Sequence, residues 1–419
     1  HMQMDHARNL AWRGAVVLLF IWSIALALIF SAALAFPDID TASFFGSAAP
    51  VDIQQPNLYE LYLPANIFYS LSNNLVPAVV LFSILVGIAL ITVEEKEGVL
   101  KLFDGIAMAM SRINHLMVQL TPYGIFAIAA AAAGTMTIDE VGRVQVYLVT
   151  YISLALLITF WIFPGLISAM SGIPFRDVFN TYRDPLVTAF ATGNQFVVLP
   201  QIAECTKELL KRHRADSEEA DSAVDILVPV SFNFPSLGKL LVLLFVLFAA
   251  WFTDTDLALA DRGFLAFGGL LSLFGSINVA VPYMLDTLQI PADMFQLFLV
   301  TGIVVGRFGA MLAALHIIVI SVIGSLALVG RLKVSMQSVG RYLLLSCVAM
   351  VVMVALLRVY FELFVPPPPP RDEVLANVQL SERWIPFKVA SDLPEISATQ
   401  LAGTRIDHIL NTGVLQVGY

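Results

Sequence analysis

The stretch that most limits what this chain can fold into is residues 226–252, ILVPVSFNFPSLGKLLVLLFVLFAAWF. It is apolar and long enough to cross a bilayer, yet Asn233, Pro235, Ser236, Gly238 and Lys239 interrupt its first half. Pro235 removes a backbone donor and crowds the preceding turn, and Gly238 gives the chain access to left-handed angles. In hydrocarbon such a break strands amides and carbonyls, so it is viable only against protein or along a polar cavity. A lysine beside it needs a partner or a role. The stretch is expected to be the unwound centre of a transport site, with a plain kink in a packed helix as the alternative.

Composition agrees with a membrane chain. At 58% hydrophobic and 13% charged residues, it lies far outside soluble globular usage. The net charge of −9 says little about partners, because the acidic residues fall mostly in loops and the tail. Cys205 and Cys347 sit in apolar surroundings and offer neither metal spacing nor a disulfide framework. With no nucleotide loop, metal spacing or nucleophile constellation, neither an enzyme nor a nucleic-acid binder is expected.

Read in order, the first span is residues 12–36, with Arg8 and Arg13 at its start. The loop that follows carries Asp38, Asp40, Asp52 and Glu60 and no Lys or Arg, which places the N-terminus in the cytoplasm. Further spans are expected at 75–93, 99–135 (bent at Pro122) and 144–170. Residues 180–210 then form two apolar stretches, each too short to cross, around the polar tip Thr192-Gly193-Asn194-Gln195. That is the pattern of a re-entrant hairpin. The broken span follows. A second hairpin candidate, residues 264–290, has the tip Phe274-Gly275-Ser276-Ile277-Asn278, and a long span covers 294–329. A hairpin followed by a span with a polar interruption therefore occurs twice, entered from opposite faces. Inverted repeats of this kind put the solute site near the midplane, where helix ends and free carbonyls meet. Two ordinary pairs of short spans are the alternative.

Several segments carry a family resemblance: NIFYSLSNNLVPAVVLFSILVGIAL, TPYGIFAIAA and LVTAFATGNQFVVLP. They resemble the dicarboxylate/amino-acid:cation symporters, the glutamate transporter homologues, clearly over residues 66–200 and more weakly to about 330. The resemblance implies an all-α polytopic membrane protein of elevator type. In that fold a trimer holds a fixed scaffold, and a mobile transport domain with two re-entrant hairpins carries the solute. The chain divides accordingly into a cytoplasmic tail (1–11), scaffold-type spans (12–136), and a transport core (137–330) with hairpins at 180–212 and 263–291. The N-terminal scaffold is shortened, with one span where the family usually has three before the region matching Asn66.

The departures bear on coupling. The family's serine-rich first tip is Gly193-Asn194-Gln195-Phe196 here, and its Asn-Met-Asp-Gly-Thr break resembles Asn233-Phe234-Pro235-Ser236-Leu237, which lacks the Asp. The last core span keeps Arg307 and His316 but no carboxylate. The family's sodium ligands are thus unmatched; no metal site is assigned, and sodium or a proton stays open as the driving ion. Lys239, Arg307 and His316 make the core cationic, which suits an anionic or carboxylate-bearing solute. Arg307 can hold a carboxylate in a bidentate fork. Candidate solute contacts are Thr192, Gly193, Asn194, Gln195, Asn233, Ser236, Gly275, Ser276, Asn278 and Arg307. Lys239 and His316 are candidates for coupling, Lys239 as a fixed charge standing where an ion would bind. The plainer readings are a snorkelling Lys239, an Arg307 that caps a carbonyl, a core His316, and Asn194 and Gln195 as mere tip residues.

Past residue 330 a basic loop leads to an additional span, 342–365, which the family does not usually have. The two make up the segment 331–365. The run Pro366–Pro370 is a polyproline spacer, and TRIDHILNTGVLQVGY at the close resembles the opening of periplasmic amino-acid-binding proteins. Residues 366–419 are too few for such a domain and are read as its truncated start. The extra crossing would put that domain in the periplasm. The expected protein is a bacterial inner-membrane carrier of amino acids or dicarboxylates, fed by a fused periplasmic solute-binding domain and assembled as a homotrimer. The alternative is a ligand-gated anion channel or a non-transporting receptor anchor.

Overall fold

A computed structural model describes residues 2–37, 66–73, 75–135, 138–214, 217–332 and 335–365. They belong to one unit, residues 1–368; a second unit, 369–419, lies outside the described residues, as do the polyproline run and the binding-protein resemblance. Among the described residues all regular structure is helical. Helix α1 (Met2–Ala32) continues into a 3₁₀ turn, Ala33–Ala35. Then come α2 (Ile67–Ser72), α3 (Val76–Ile91), α4 (Glu97–Thr135) and α5 (Ile138–Leu157). A π-helical turn, Ile158–Ile162, joins α5 to α6 (Phe163–Ser171).

The first hairpin is α7 (Phe175–Thr192), a 3₁₀ turn (Gln195–Val198) and α8 (Leu199–Arg212). The broken span is α9 (Glu218–Ser231), α10 (Leu237–Leu240) and α11 (Val242–Phe252). The second hairpin is α12 (Leu259–Ser272) and α13 (Ile277–Thr287), followed by α14 (Met294–Leu328) and α15 (Met336–Phe364).

Local chemistry explains the boundaries. Ser217 caps α9 through the Ala220 amide, with Glu218, Glu219 and Asp221 in the first turn, where the helix dipole favours negative charge. Asn66 accepts the Phe68 and Tyr69 amides at the start of α2. Gly172 ends α6 with φ of 75°, the left-handed cap that glycine takes at least cost. The π turn lies just before Pro164, whose ring cannot tolerate the carbonyl four residues back; widening the helix over Ile158–Ile162 relieves that clash. The span expected over 144–170 is one apolar segment, Gly142–Ser171, with this turn inside it.

Among the described residues four segments are long and apolar enough to cross a membrane: Gly14–Ala35, Gly142–Ser171, Val304–Leu328 and Gln337–Phe364. Shorter apolar helices are Pro77–Ile91 and Leu237–Phe252. Neither hairpin arm pair is among them, and nor is α4, which carries Lys101, Asp104 and Arg112 along its 39 residues. α14 is the centre of the fold, with 89% of its apolar window buried against 17% for α15. It packs on α9, α7, α10, α1, α5, α6, α8 and α4.

α1 packs on α14, α10 and α11. Two placements differ from the sequence reading. Gly238 adopts no left-handed angle; it lies in α10, where it allows a close helix crossing. The additional span begins at Met336, six residues before the expected start, and is capped by Ser335. It packs on α6, α1 and α5. There Tyr342 donates its hydroxyl hydrogen bond to the Trp161 carbonyl of the π turn and stacks on the Trp161 ring.

Candidate functional site

The site is organised around the point where α10 meets α14. A Cβ at Gly238 would run into the carbonyl of Gly309, so only glycine lets the two backbones approach this closely. α10 exists as a single turn because the chain unwinds over residues 232–236. Ser236 then accepts the Lys239 amide at 3.4 Å and restarts the helix. Trp22 of α1 donates its indole N–H to the Pro235 carbonyl at 2.9 Å, satisfying one of the groups the break exposes. Its ring also meets Phe234 and Phe274 edge-on, at 6.3 and 5.8 Å.

Each hairpin tip is held by a cation from a neighbouring helix. At the first tip, α7 ends with Gly193 at φ 65°, its amide bonded to Ala189. The Arg307 guanidinium of α14 donates to the Ala191 carbonyl, and a Cβ at Gly193 would lie 3.4 Å from its Cδ. At the second tip, α12 ends at Ser272 and α13 begins at Ile277, which leaves carbonyls between them without helical donors. The Lys239 ammonium donates to two of these, Leu273 and Gly275, each at 3.2 Å. A hydrogen bond to a charged group contributes roughly 1.5–3 kcal/mol. Positive charge also complements the carbonyl end of a helix.

The remaining expected residues are placed as follows. Thr192 donates to the Thr188 carbonyl at 2.8 Å and accepts the Asn194 amide at 3.3 Å; the Asn194 side chain accepts the Phe196 amide at 2.9 Å. Asn233, Ser276 and Asn278 expose their side chains beside the break and the second tip, and Gln195 is half-buried. Phe190 meets Phe308 at 4.9 Å and Phe196 meets Phe232 at 4.4 Å, packing the first tip against α14 and the break. His316 lies apart. Nine residues along α14 from Arg307, about 13 Å at helical rise, it is fully buried, and neither ring nitrogen has a hydrogen-bond partner among the described residues. Among the described residues no group of three or more His, Cys, Asp or Glu is placed to hold a metal.

Sequence reasoning missed Trp22, Gly309 and a buried hydroxyl chain. In that chain Tyr182 meets Thr206 at 3.0 Å and Thr206 meets Ser321 at 3.1 Å, linking α7, α8 and α14. The signal for Trp22 was available: an indole donor in the middle of a span must find an acceptor inside the protein.

Comparison with known proteins gives consistent matches. A family model described as the sodium:dicarboxylate symporter family matches residues 1–327. The chain is 25% identical over 201 residues to C4-dicarboxylate transport protein 1 of Pseudomonas paraeruginosa, covering 48% of this chain and 43% of that protein. It is 24% identical over 157 residues to the proton/sodium-glutamate symport protein of Bacillus caldotenax, covering 36% and 37%. Against the proton/sodium-glutamate symport protein of Bacillus subtilis it is 23% identical over 242 residues, covering 55% and 54%. The chain thus spans 37–54% of the length of these relatives, all of them transport proteins rather than enzymes.

Proposed function

The chain belongs to the sodium:dicarboxylate symporter family, and on that premise we propose that it is a secondary carrier of carboxylate-bearing anions, dicarboxylates or acidic amino acids. The observation that carries this reading is the pair of cations, Lys239 and Arg307, set on either side of the Gly238–Gly309 crossing and each reaching a hairpin tip. One carbonyl uses only part of the Arg307 fork, since a guanidinium has five N–H donors. The rest is available to a solute carboxylate in a bidentate grip. Thr192, Gly193, Asn194 and Gln195 from the first tip, Asn233 and Ser236 from the break, and Gly275, Ser276 and Asn278 from the second tip complete the surroundings. The names of the relatives, C4-dicarboxylate and glutamate transport proteins, favour the same solute class.

In this scheme α5 to α14, with α1, form the sliding body, α3 and α4 form the fixed frame of a homotrimer, and the second hairpin gates the site. The protein resides in a bacterial inner membrane with its N-terminus in the cytoplasm. Residues 366–419 lead into a periplasmic solute-binding domain that delivers solute to that hairpin. The loop asymmetry and the extra span support this orientation.

The test is uptake of labelled succinate, fumarate, aspartate and glutamate into proteoliposomes under a sodium gradient, a proton gradient or neither. Saturable uptake with counterflow is expected. Arg307→Lys, which keeps the charge and loses the fork, is expected to lower it at least about tenfold. Currents that follow only the anion gradient, with no counterflow, would sink the carrier reading and favour a channel.

A further inference from the structure

The two tip contacts are reciprocal. The first hairpin precedes the broken span in the chain and the second precedes α14, yet each hairpin is held by the cation of the other repeat: the first by Arg307 of α14, the second by Lys239 of α10. Both cations serve the same kind of group, carbonyls at the open end of a hairpin's first arm. Those at the second tip, Leu273 and Gly275, are oxygen ligands of the sort a small hard cation would use. Here an ammonium tethered to the chain already takes them.

We propose that Lys239 is a built-in latch for the second hairpin, a positioning residue whose tethered cation holds the tip closed without a bound metal ion. This deepens the carrier reading given above and rests on it only for that hairpin's role as a gate; the latch itself is a property of the resting protein. The argument is geometric. Lys239 sits in the one turn of helix that restarts after the break, so its backbone is fixed by the Ser236 cap and by the Gly238–Gly309 crossing. From there its ammonium bridges to a segment more than thirty residues away in sequence. The tip is backed by the Trp22, Phe234 and Phe274 rings. Those rings hold the tip's side chains, and Lys239 holds its backbone. Charge matters more than size, because a neutral side chain would leave two part-buried carbonyls with only a weak donor.

Ser272, fully buried at the end of α12, reports the opening of the tip. The full chain, with Cys205→Ser and Cys347→Ser and carrying Ser272→Cys, would be placed in nanodiscs and labelled with a soluble maleimide, with and without sodium. Labelling is expected to be slow and indifferent to sodium when Lys239 is present. Lys239→Gln is expected to speed it at least about tenfold, the loss of one charge-assisted hydrogen bond. Lys239→Arg, which retains a cation, should stay within about threefold of the parent. The proposal is overturned if Lys239→Gln labels as slowly as the parent, if Lys239→Arg opens the tip as much as Lys239→Gln, or if the parent closes only when sodium is added. Labelling needs no solute gradient, so a protein that fails to transport would still give a clear answer about the latch.

Discussion

At Gly238 and Gly263 the same substitution should have opposite effects. A Cβ at Gly238 meets the backbone carbonyl of Gly309, which no side-chain rotation can relieve, whereas nothing lies within 4 Å of one at Gly263. Gly238→Ala is expected to destabilise the detergent-solubilised protein by about 1–3 kcal/mol through overpacking. Gly263→Ala, inside α12, should be neutral or stabilising by up to about 1 kcal/mol. Thermal unfolding of the two variants side by side checks both, and an equal loss in each would mean that the crossing does not bear on the glycine. The contrast shows what a sequence can say about a site. Lys239 and Arg307 stand out because a charge inside a span needs a reason. Their partners are main-chain carbonyls, which leave no mark in the residue types. Gly238 also stood out, but for the wrong reason: its letter reports the missing Cβ, not whether a turn or a neighbouring helix needs the space.

Among the elements, the hairpins were legible because their polar tips break apolar runs too short to cross, and the broken span because proline and glycine interrupt a long apolar run. The π turn was not, since ITFWIFPG reads as one more apolar stretch until Pro164 is placed in a helix. Its widened backbone gives Tyr342 of α15 an acceptor at the Trp161 carbonyl, and Gly165 gives that ring room. Tyr342→Phe keeps the ring and loses the hydrogen bond, so a cost of about 1 kcal/mol is expected. Tyr342→Ala also loses the packing and should cost about 3 kcal/mol. Denaturant titration of the purified protein separates the two; equal losses would assign the whole effect to the hydroxyl.

For the molecule as a whole, the proposed mechanism requires some helices to slide past others, and the packing indicates which. α3 packs on α12 and α13 of the second hairpin, while α15 packs on α6, α5 and α1. A short thiol cross-linker joining Gly165→Cys to Tyr342→Cys is expected to leave uptake within about twofold, because both ends travel together. A bridge from α3 to α12 is expected to abolish it. Loss of uptake in both would mean that α15 belongs to the frame. The order of elements could be read from hydropathy alone, but the allegiance of α1 and α15 could not, because an apolar stripe looks the same whether it faces protein or lipid. That allegiance has a mechanical consequence. In the proposed mechanism α15, packed on α1, α5 and α6, travels with the load instead of the shaft. Val365 at its end then rises and falls with the cargo, and its depth becomes a pointer to the face that is open.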